Sequence, residues 1–179
     1  MKRACLVAAV LAASTTAASA GIYAGIGIGT GADVNHDQGV NTLQGDNRSG
    51  RLMLGYRFGR FSIEAAGSHY GLVLDGSPYG ANQAALVGKV SFPIGYSFEL
   101  FGRAGVQHTW LSTDVMGGNA EGTGVLVGAG VEYRLHLTFV GGASVFVDYE
   151  RTQTPFKNDA GAPWNSGAGM FTAGLTVSL

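Results

Sequence analysis

The sequence has very little cysteine, proline or charge. Of its 179 residues one is a cysteine, Cys5, four are prolines, and Asp, Glu, Lys and Arg together make up 13%. A single cysteine excludes an intrachain disulfide and a metal cluster built on thiolates. The formal net charge of −1 lacks the basic excess that marks nucleic-acid-binding domains. We therefore expect no nucleic-acid partner.

Long apolar runs are missing after the first twenty residues, where no stretch approaches the ~18 to 20 apolar residues of a membrane helix. The first twenty residues have the three parts of a secretory signal peptide. These are the basic Lys2 and Arg3, an apolar run over residues 6–13, and the small residues 18–20. The sequence thus predicts a cleaved signal peptide over 1–20, which removes Cys5, and one domain over 21–179. If this domain enters a membrane, it does so as strands.

Glycine is abundant, at 30 residues, and lies in segments where apolar residues alternate with small or polar ones. The segment 124–134, GVLVGAGVEYR, is the clearest example. Its side chains alternate across a strand, so one face is apolar and the other is mostly glycine, ending in Glu132 and Arg134. A soluble sheet places its polar face in water, but the side chains of this face are too small and too sparsely charged for a surface exposed to solvent. We interpret it as the lining of a crowded barrel lumen, with the apolar row facing lipid.

Eight segments show this alternation: residues 21–30, 50–58, 61–68, 84–92, 98–107, 124–134, 137–150 and 169–179. Polar segments rich in Gly, Asn and Asp separate them at 31–49, 71–82, 112–122 and 152–167, and short turns lie at 59–60, 93–96 and 135–136. The predicted fold is all-β: an eight-stranded antiparallel up-and-down transmembrane β-barrel with four long extracellular loops and three short periplasmic turns. Closure removes the sheet edges that lipid cannot hydrate.

Charges and aromatic rings sort by strand phase. The central outward positions hold no charged residue, whereas the inward phase holds five of each sign: Arg51, Arg57, Lys89, Arg103, Arg134, Glu64, Glu99, Glu132, Asp148 and Glu150. Outward aromatics form the two girdles expected at membrane interfaces: Tyr56, Phe58, Phe61, Phe92, Phe98, Tyr133 and Phe139 near the turns, Trp110 and Tyr149 near the loops. A soluble lipocalin-like barrel, the alternative, would expose the glycine-rich charged faces.

The segments GRLMLGYRF, FELFGRAGV and GVLVGAGVEYR, with the last strand, resemble the OmpA-like and OmpX-like eight-stranded outer-membrane β-barrels over residues 21–179. The resemblance implies a bacterial outer-membrane location, lipid and lipopolysaccharide as surroundings, and the barrel-assembly machinery as a partner. The last strand is similar to the assembly signal of the family through Thr172, Gly174, Val177 and Leu179, although the family usually ends in Phe. The four loops are the expected place for an extracellular ligand, which the sequence does not name.

The inward charges have two interpretations, of which we expect the first. The first is a structural plug of ion pairs, since an eight-stranded barrel is just wide enough to be filled by its own side chains. The second is a gate for a narrow pore: in the resembled family such a network gates conductance, and Glu64, Lys89 and Glu132 match it by strand and phase. The seventh strand lacks an inward Arg, so Arg103 would have to serve. We expect Arg103 to pair with Glu99, Glu64 or Glu132.

The predicted function is a structural or surface-interaction protein without catalysis, cofactor or metal. A further alternative is a lipid A-modifying enzyme, which some small outer-membrane barrels are. The sequence places His36 in a loop, His69 and His108 at the outer rim facing lipid, and His136 in a turn. A hydrolytic site needs a nucleophile oriented by its base. Ser68 and His69 point to opposite faces, and His108 lacks the His-x-Ser spacing of the lipid A deacylases.

Overall fold

The computed structural model describes residues 20–30, 33–36, 44–74, 77–112, 120–135, 142–157 and 163–178. These residues form nine strand segments: β1 (Gly21–Gly29), β2 (Asp33–His36), β3 (Gln44–Phe58), β4 (Phe61–Leu74), β5 (Ser77–Pro93), β6 (Phe98–Ser112), β7 (Ala120–Leu135), β8 (Ala143–Lys157) and β9 (Pro163–Ser178). The described part of the chain contains no helix long and apolar enough to cross a membrane.

The strands close into a barrel in which neighbours in sequence pair antiparallel from β3 to β9, and β1 pairs with both β3 and β9. The short β2 continues along β9, since Gly29 pairs with Thr172 and Asp33 with Gly169. β1 and β2 are therefore two segments of one barrel strand, and the barrel has eight. This confirms the predicted fold class. Closure leaves no described strand as a free edge, as lipid requires.

The strands run further than the sequence predicted, and the loop boundaries are wrong. The ladder between β4 and β5 continues to the pair Leu74–Ser77, so strand replaces the predicted loop 71–82 except at 75–76, outside the described residues. β8 and β9 likewise extend through most of 152–167, and β6 and β7 take the ends of 112–122. Beyond the apolar belt, polar and glycine-rich segments still satisfy their backbone groups by pairing. Such a ladder needs no apolar alternation.

The predicted loop 31–49 is also partly strand, because it contains β2 and the start of β3. His36 is thus a strand residue and not a loop residue. At the other end, β7 stops at Leu135 and β8 starts at Ala143. Residues 136–141, which include His136 and Phe139, lie outside the described residues. The same holds for residues 1–19 of the predicted signal peptide and for Leu179.

The turn predicted at residues 59–60 joins β3 to β4. Phe58 pairs directly with Phe61 across it, and Gly59 has a φ of +68°. Glycine adopts this left-handed conformation without the steric cost that a side chain brings.

The barrel is apolar outside and polar inside. The predicted outward phase is exposed, as Leu52 at 66% and Val127 at 57% show, whereas Glu64 on the inward phase is 1% exposed. Outward rings pair at two levels along the strands. Phe98 and Tyr133 lie 4.8 Å apart between ring centroids near the turns, and Tyr149 and Phe171 lie 4.8 Å apart further up. An apolar belt bounded by aromatic residues is the surface that a bilayer requires.

Candidate functional site

The centre of the lumen holds a network of ion pairs around Arg103 on β6. Its Nη1 lies 2.9 Å from Asp148 Oδ2, its Nη2 3.3 Å from Glu64 Oε2, and its Nε 3.6 Å from Glu150 Oε2. Arg51 on β3 binds the same two acids of β8, at 2.7 Å from Asp148 and 3.3 Å from Glu150. Two guanidinium groups on different strands thus hold one pair of carboxylates across the lumen.

Lys89 extends the network towards the turns. Its Nζ lies 2.7 Å from Glu132 Oε2 and 3.8 Å from Glu64 Oε1. The Tyr23 hydroxyl donates a hydrogen bond of 2.5 Å to the same Glu64 oxygen, and Nζ lies 4.3 Å from the centroid of the Phe101 ring. Glu64 therefore connects the lysine to the Arg103 group.

A separate cluster lies at the turn end of the lumen, where Glu99 binds Arg57 at 2.9 Å and also binds Arg134. Of the three acids predicted as partners of Arg103, Glu64 is confirmed. Glu99 and Glu132 are wrong, because they bind other cations. Arg103 lies four residues further along β6 than Glu99 and on the same face, so it reaches acids at its own depth. The ends of β3 and β7 bring Arg57 and Arg134 to the depth of Glu99.

The structure places all ten of the predicted inward charges in these two clusters. The central one joins three cations to four carboxylates and the turn-end one two cations to one carboxylate, so the ten charges balance. Five of the central side chains are at most 2% exposed: Arg51, Glu64, Arg103, Asp148 and Glu150. An ion this deep is costly unless it is paired, which makes the balance of signs a condition of the fold.

Inward aromatic rings fill the space between the charges, packed over glycines of neighbouring strands. A Cβ added at Gly55 would lie 2.4 Å from Tyr23 Cζ, and one at Gly130 would lie 2.6 Å from Phe101 Cζ. In each case the ring packs over the glycine directly opposite on the next strand. The pairs are Gly55 with Tyr23, Gly130 with Phe101, and Gly174 with Phe146. In the sequence, this packing would be indicated by an inward aromatic residue paired with a glycine on the next strand. Such pairs can be identified only once the register of the two strands is known.

Towards the long-loop end the lumen changes from charged to neutral. Gln107 Nε2 donates to Thr154 Oγ1 at 2.7 Å, and Tyr70, Ala81 and Met170 form a buried apolar cluster. The described residues therefore fill the lumen with ion pairs in its lower part and with amides, hydroxyls and an apolar cluster above.

The rim histidines of the described region face outward. His69 Nδ1 lies 2.9 Å from Asn82 Oδ1. His108 Nδ1 lies 2.8 Å from the Thr123 hydroxyl and its Nε2 3.7 Å from Glu121. A hydroxyl, an imidazole and a carboxylate are the elements of a hydrolytic triad, but Glu121 is 68% exposed and Thr123 lies within the β6–β7 ladder. No group of three His, Cys, Asp or Glu that could hold a metal occurs among the described residues.

Three of the four residues of the predicted assembly signal, Thr172, Gly174 and Val177, lie on β9. Thr172 is buried in the lumen, at 2% exposure, while Val177 faces outward. Gly174 lies opposite Phe146, and Leu179 is outside the described residues. The alternation of a polar inward and an apolar outward residue is thus present in the strand that closes the barrel.

Three solved structures of bacterial proteins have this fold. Neisserial surface protein A matches with a TM-score of 0.69 at 15% identity, over 90% of this chain and 100% of that chain. Ail, the attachment invasion locus protein of Yersinia pestis, matches with a TM-score of 0.56 at 17% identity, over 88% and 99%. OprG from Pseudomonas aeruginosa matches with a TM-score of 0.53 at 14% identity, over 89% and 96%. At these identities the likeness shows the fold.

No curated protein matches the chain in sequence. The family model described as the outer membrane protein beta-barrel domain matches residues 4–178, which is nearly the whole chain. The surroundings of the protein are therefore the lipid and lipopolysaccharide of the outer membrane. The chain belongs to the outer membrane β-barrel protein family.

Proposed function

We propose that this protein is a non-catalytic structural and surface-interaction protein whose lumen is plugged by ion pairs. The observation that carries the proposal is the balanced network, in which one residue, Arg103, binds acids from both β4 and β8. With Phe101 and Phe146 buried beside it, the network occupies the cross-section that a solute would need. A narrow barrel filled in this way serves as a rigid support for the segments at its ends.

The surface role belongs to the four connections at the long-loop end, which we place outside the cell, with both termini in the periplasm. Ail has also been solved in complex with the heparin analogue sucrose octasulfate, which shows a related barrel binding a polyanion. For this chain we propose an extracellular ligand bound by those connections. For Thr172, Gly174 and Val177 of β9, together with Leu179 that follows it in sequence, we propose recognition by the barrel-assembly machinery.

A gated narrow pore is the second candidate, because one observation favours it. Lys89 Nζ lies between two acids, at 2.7 Å from Glu132 and 3.8 Å from Glu64, and Glu64 has a second cation in Arg103. A shift of Lys89 from Glu132 to Glu64 would leave Glu132 without its ion-pair partner among the described residues and would bring both Lys89 and Arg103 to Glu64. The two arrangements are the kind of discrete alternatives that a gate requires.

Single-channel recording in planar bilayers separates the two candidates. For the plug we expect the refolded protein and its Lys89→Gln variant to show no resolved conductance. For the gate, the variant should open or lengthen small conducting events, since it frees one side of the lumen. Large steady currents from the unmodified protein would contradict both candidates and indicate a wider pore.

A further inference from the structure

An exposed arginine on the outer wall of the barrel has no partner among the described residues. Arg151 on β8 belongs to the outward phase and is exposed. The described region contains no carboxylate within ion-pair distance of it, whereas all ten lumen charges are paired. A guanidinium group on the wall of a membrane barrel meets the surrounding lipid, so its natural counterion is a lipid anion.

The neighbours of Arg151 place it at the upper boundary of the apolar belt. Its direct cross-strand partners are Val127 on β7 and Gly169 on β9. Two residues below it along β8 is Tyr149, whose ring packs against Phe171. A Cβ at Gly169 would lie 2.5 Å from the Tyr149 hydroxyl, so this hydroxyl lies over the glycine beside Arg151. Aromatic residues with a polar end mark the level of the lipid headgroups.

A groove of about 560 Å³ lies along the wall from Arg151 towards the loops. Besides Arg151 its outward polar side chains are Thr123, Gln153 and Asn165, whereas Thr154 faces the lumen and Ser166 is its cross-strand partner. None of the described residues that line the groove is acidic. Val125, which also lines the groove, and Val127, the cross-strand partner of Arg151, are more than half exposed. The groove therefore offers one cation, two amides and a hydroxyl, with exposed apolar side chains beside them.

We propose that this groove binds the phosphorylated sugar headgroup of an outer-leaflet glycolipid. The Arg151 guanidinium group binds a phosphate through paired N–H···O bonds, the geometry that arginine matches better than lysine. Gln153 and Asn165 hydrogen-bond sugar hydroxyls, and the acyl chains pack on Val125, Val127 and the Tyr149–Phe171 pair. A phospholipid would leave the amides of the groove without sugar partners. The inference does not depend on whether the lumen is plugged.

Arg48 provides a matched control, since it is also an exposed arginine near the long-loop end, on β3, and it does not line this groove. The Arg151→Gln and Arg48→Gln variants of the full barrel are titrated with diphosphoryl lipid A in mixed micelles, and bound lipid is counted by native mass spectrometry. Folding of each variant is checked by its heat-dependent shift on a denaturing gel. Phosphatidylglycerol and inorganic phosphate serve as the other probes.

We expect Arg151→Gln to weaken lipid A binding about tenfold, the order of one lost charge-assisted phosphate contact, and Arg48→Gln to leave it within about twofold. We also expect lipid A to bind more tightly than phosphatidylglycerol. An equal loss of binding in both arginine variants would overturn the proposed site and show that lipid A is attracted by general surface charge. Equally tight binding of phosphatidylglycerol would show that the groove does not recognise the sugar. Saturation by inorganic phosphate at the same concentration would show that the site binds phosphate without the lipid.

Discussion

Arg103 and Asp148 are joined across the lumen by a contact of 2.9 Å between Nη1 and Oδ2, although β7 lies between their strands in the barrel wall. Both side chains are at most 2% exposed. Such a contact ties non-adjacent strands through the interior, where the backbone ladder gives no support. It fixes the cross-section of the barrel and fills it at the same time.

Removal of this arginine should strongly destabilise the barrel. Arg103→Ala leaves Glu64, Asp148 and Glu150 with one cation fewer, and an unpaired buried charge typically costs about 3–5 kcal/mol. Urea unfolding of the refolded protein in micelles measures the loss. The control Arg48→Ala, at an exposed site, should change the free energy of unfolding by less than about 0.5 kcal/mol.

The double variant Arg103→Met with Asp148→Leu tests whether the charge or the packing matters. It leaves Arg51 with Glu150 and Lys89 with Glu64 and Glu132. We therefore expect the double variant to recover much of the free energy of unfolding that Arg103→Ala loses. A double variant as unstable as the single one would show that this ion pair has no apolar substitute.

A charge in the middle of the apolar belt should be costly in proportion to its depth. Val147 is 53% exposed on the outward face, halfway along the barrel wall, and Val147→Arg should cost about 2–4 kcal/mol. Tyr96 is fully exposed in the turn between β5 and β6, and Tyr96→Arg should cost about 0–1 kcal/mol. Folding titrations into lipid vesicles give both values. If both positions tolerate arginine equally, the outward face does not lie in lipid.

The glycines opposite inward rings should reject a methyl group. The three atoms nearest to a Cβ at Gly55 all belong to the Tyr23 side chain, the closest at 2.4 Å. Gly55→Ala should therefore displace the ring that donates to Glu64 and cost about 1–3 kcal/mol. Gly67 faces outward with no atom within 4 Å of an added Cβ, and Gly67→Ala should be neutral or slightly stabilising. Thermal unfolding of the two variants in the same detergent makes the comparison. Equal stability of the two variants would show that Tyr23 moves at no cost.

The absence of catalysis is tested at His108. Membranes that contain the protein or its His108→Ala variant should yield lipid A with the same number of acyl chains, measured by mass spectrometry. Our reason is that Glu121, the carboxylate beside His108, is 68% exposed, whereas a hydrolytic site needs a third group that orients the base. Loss of an acyl chain with the unmodified protein, but not with the variant, would identify an outer-leaflet acyl hydrolase.

How much the sequence revealed differs between the wall and the lumen. The alternation in segments such as 124–134 was enough to predict eight strands, their inward and outward faces and the closed barrel, because side chains alternate strictly along a strand. Loop boundaries such as 71–82 were wrong, because polar and glycine-rich residues form ladders as well as loops once the strand leaves the apolar belt. Local pattern therefore determines which residues face lipid but not where pairing ends.

The partners within the lumen were decided only by the tertiary structure. The sequence showed that Arg103 and Glu99 share a face of one strand, but not that Arg103 reaches Glu64, Asp148 and Glu150 while Arg57 and Arg134 bind Glu99. Depth in a barrel depends on the register of every strand between two residues, and each register is set by long-range pairing. The same is true of the groove at Arg151, whose lining comes from β6, β7, β8 and β9. The sequence by itself determined the faces of the strands, and closure of the barrel determined which side chains meet.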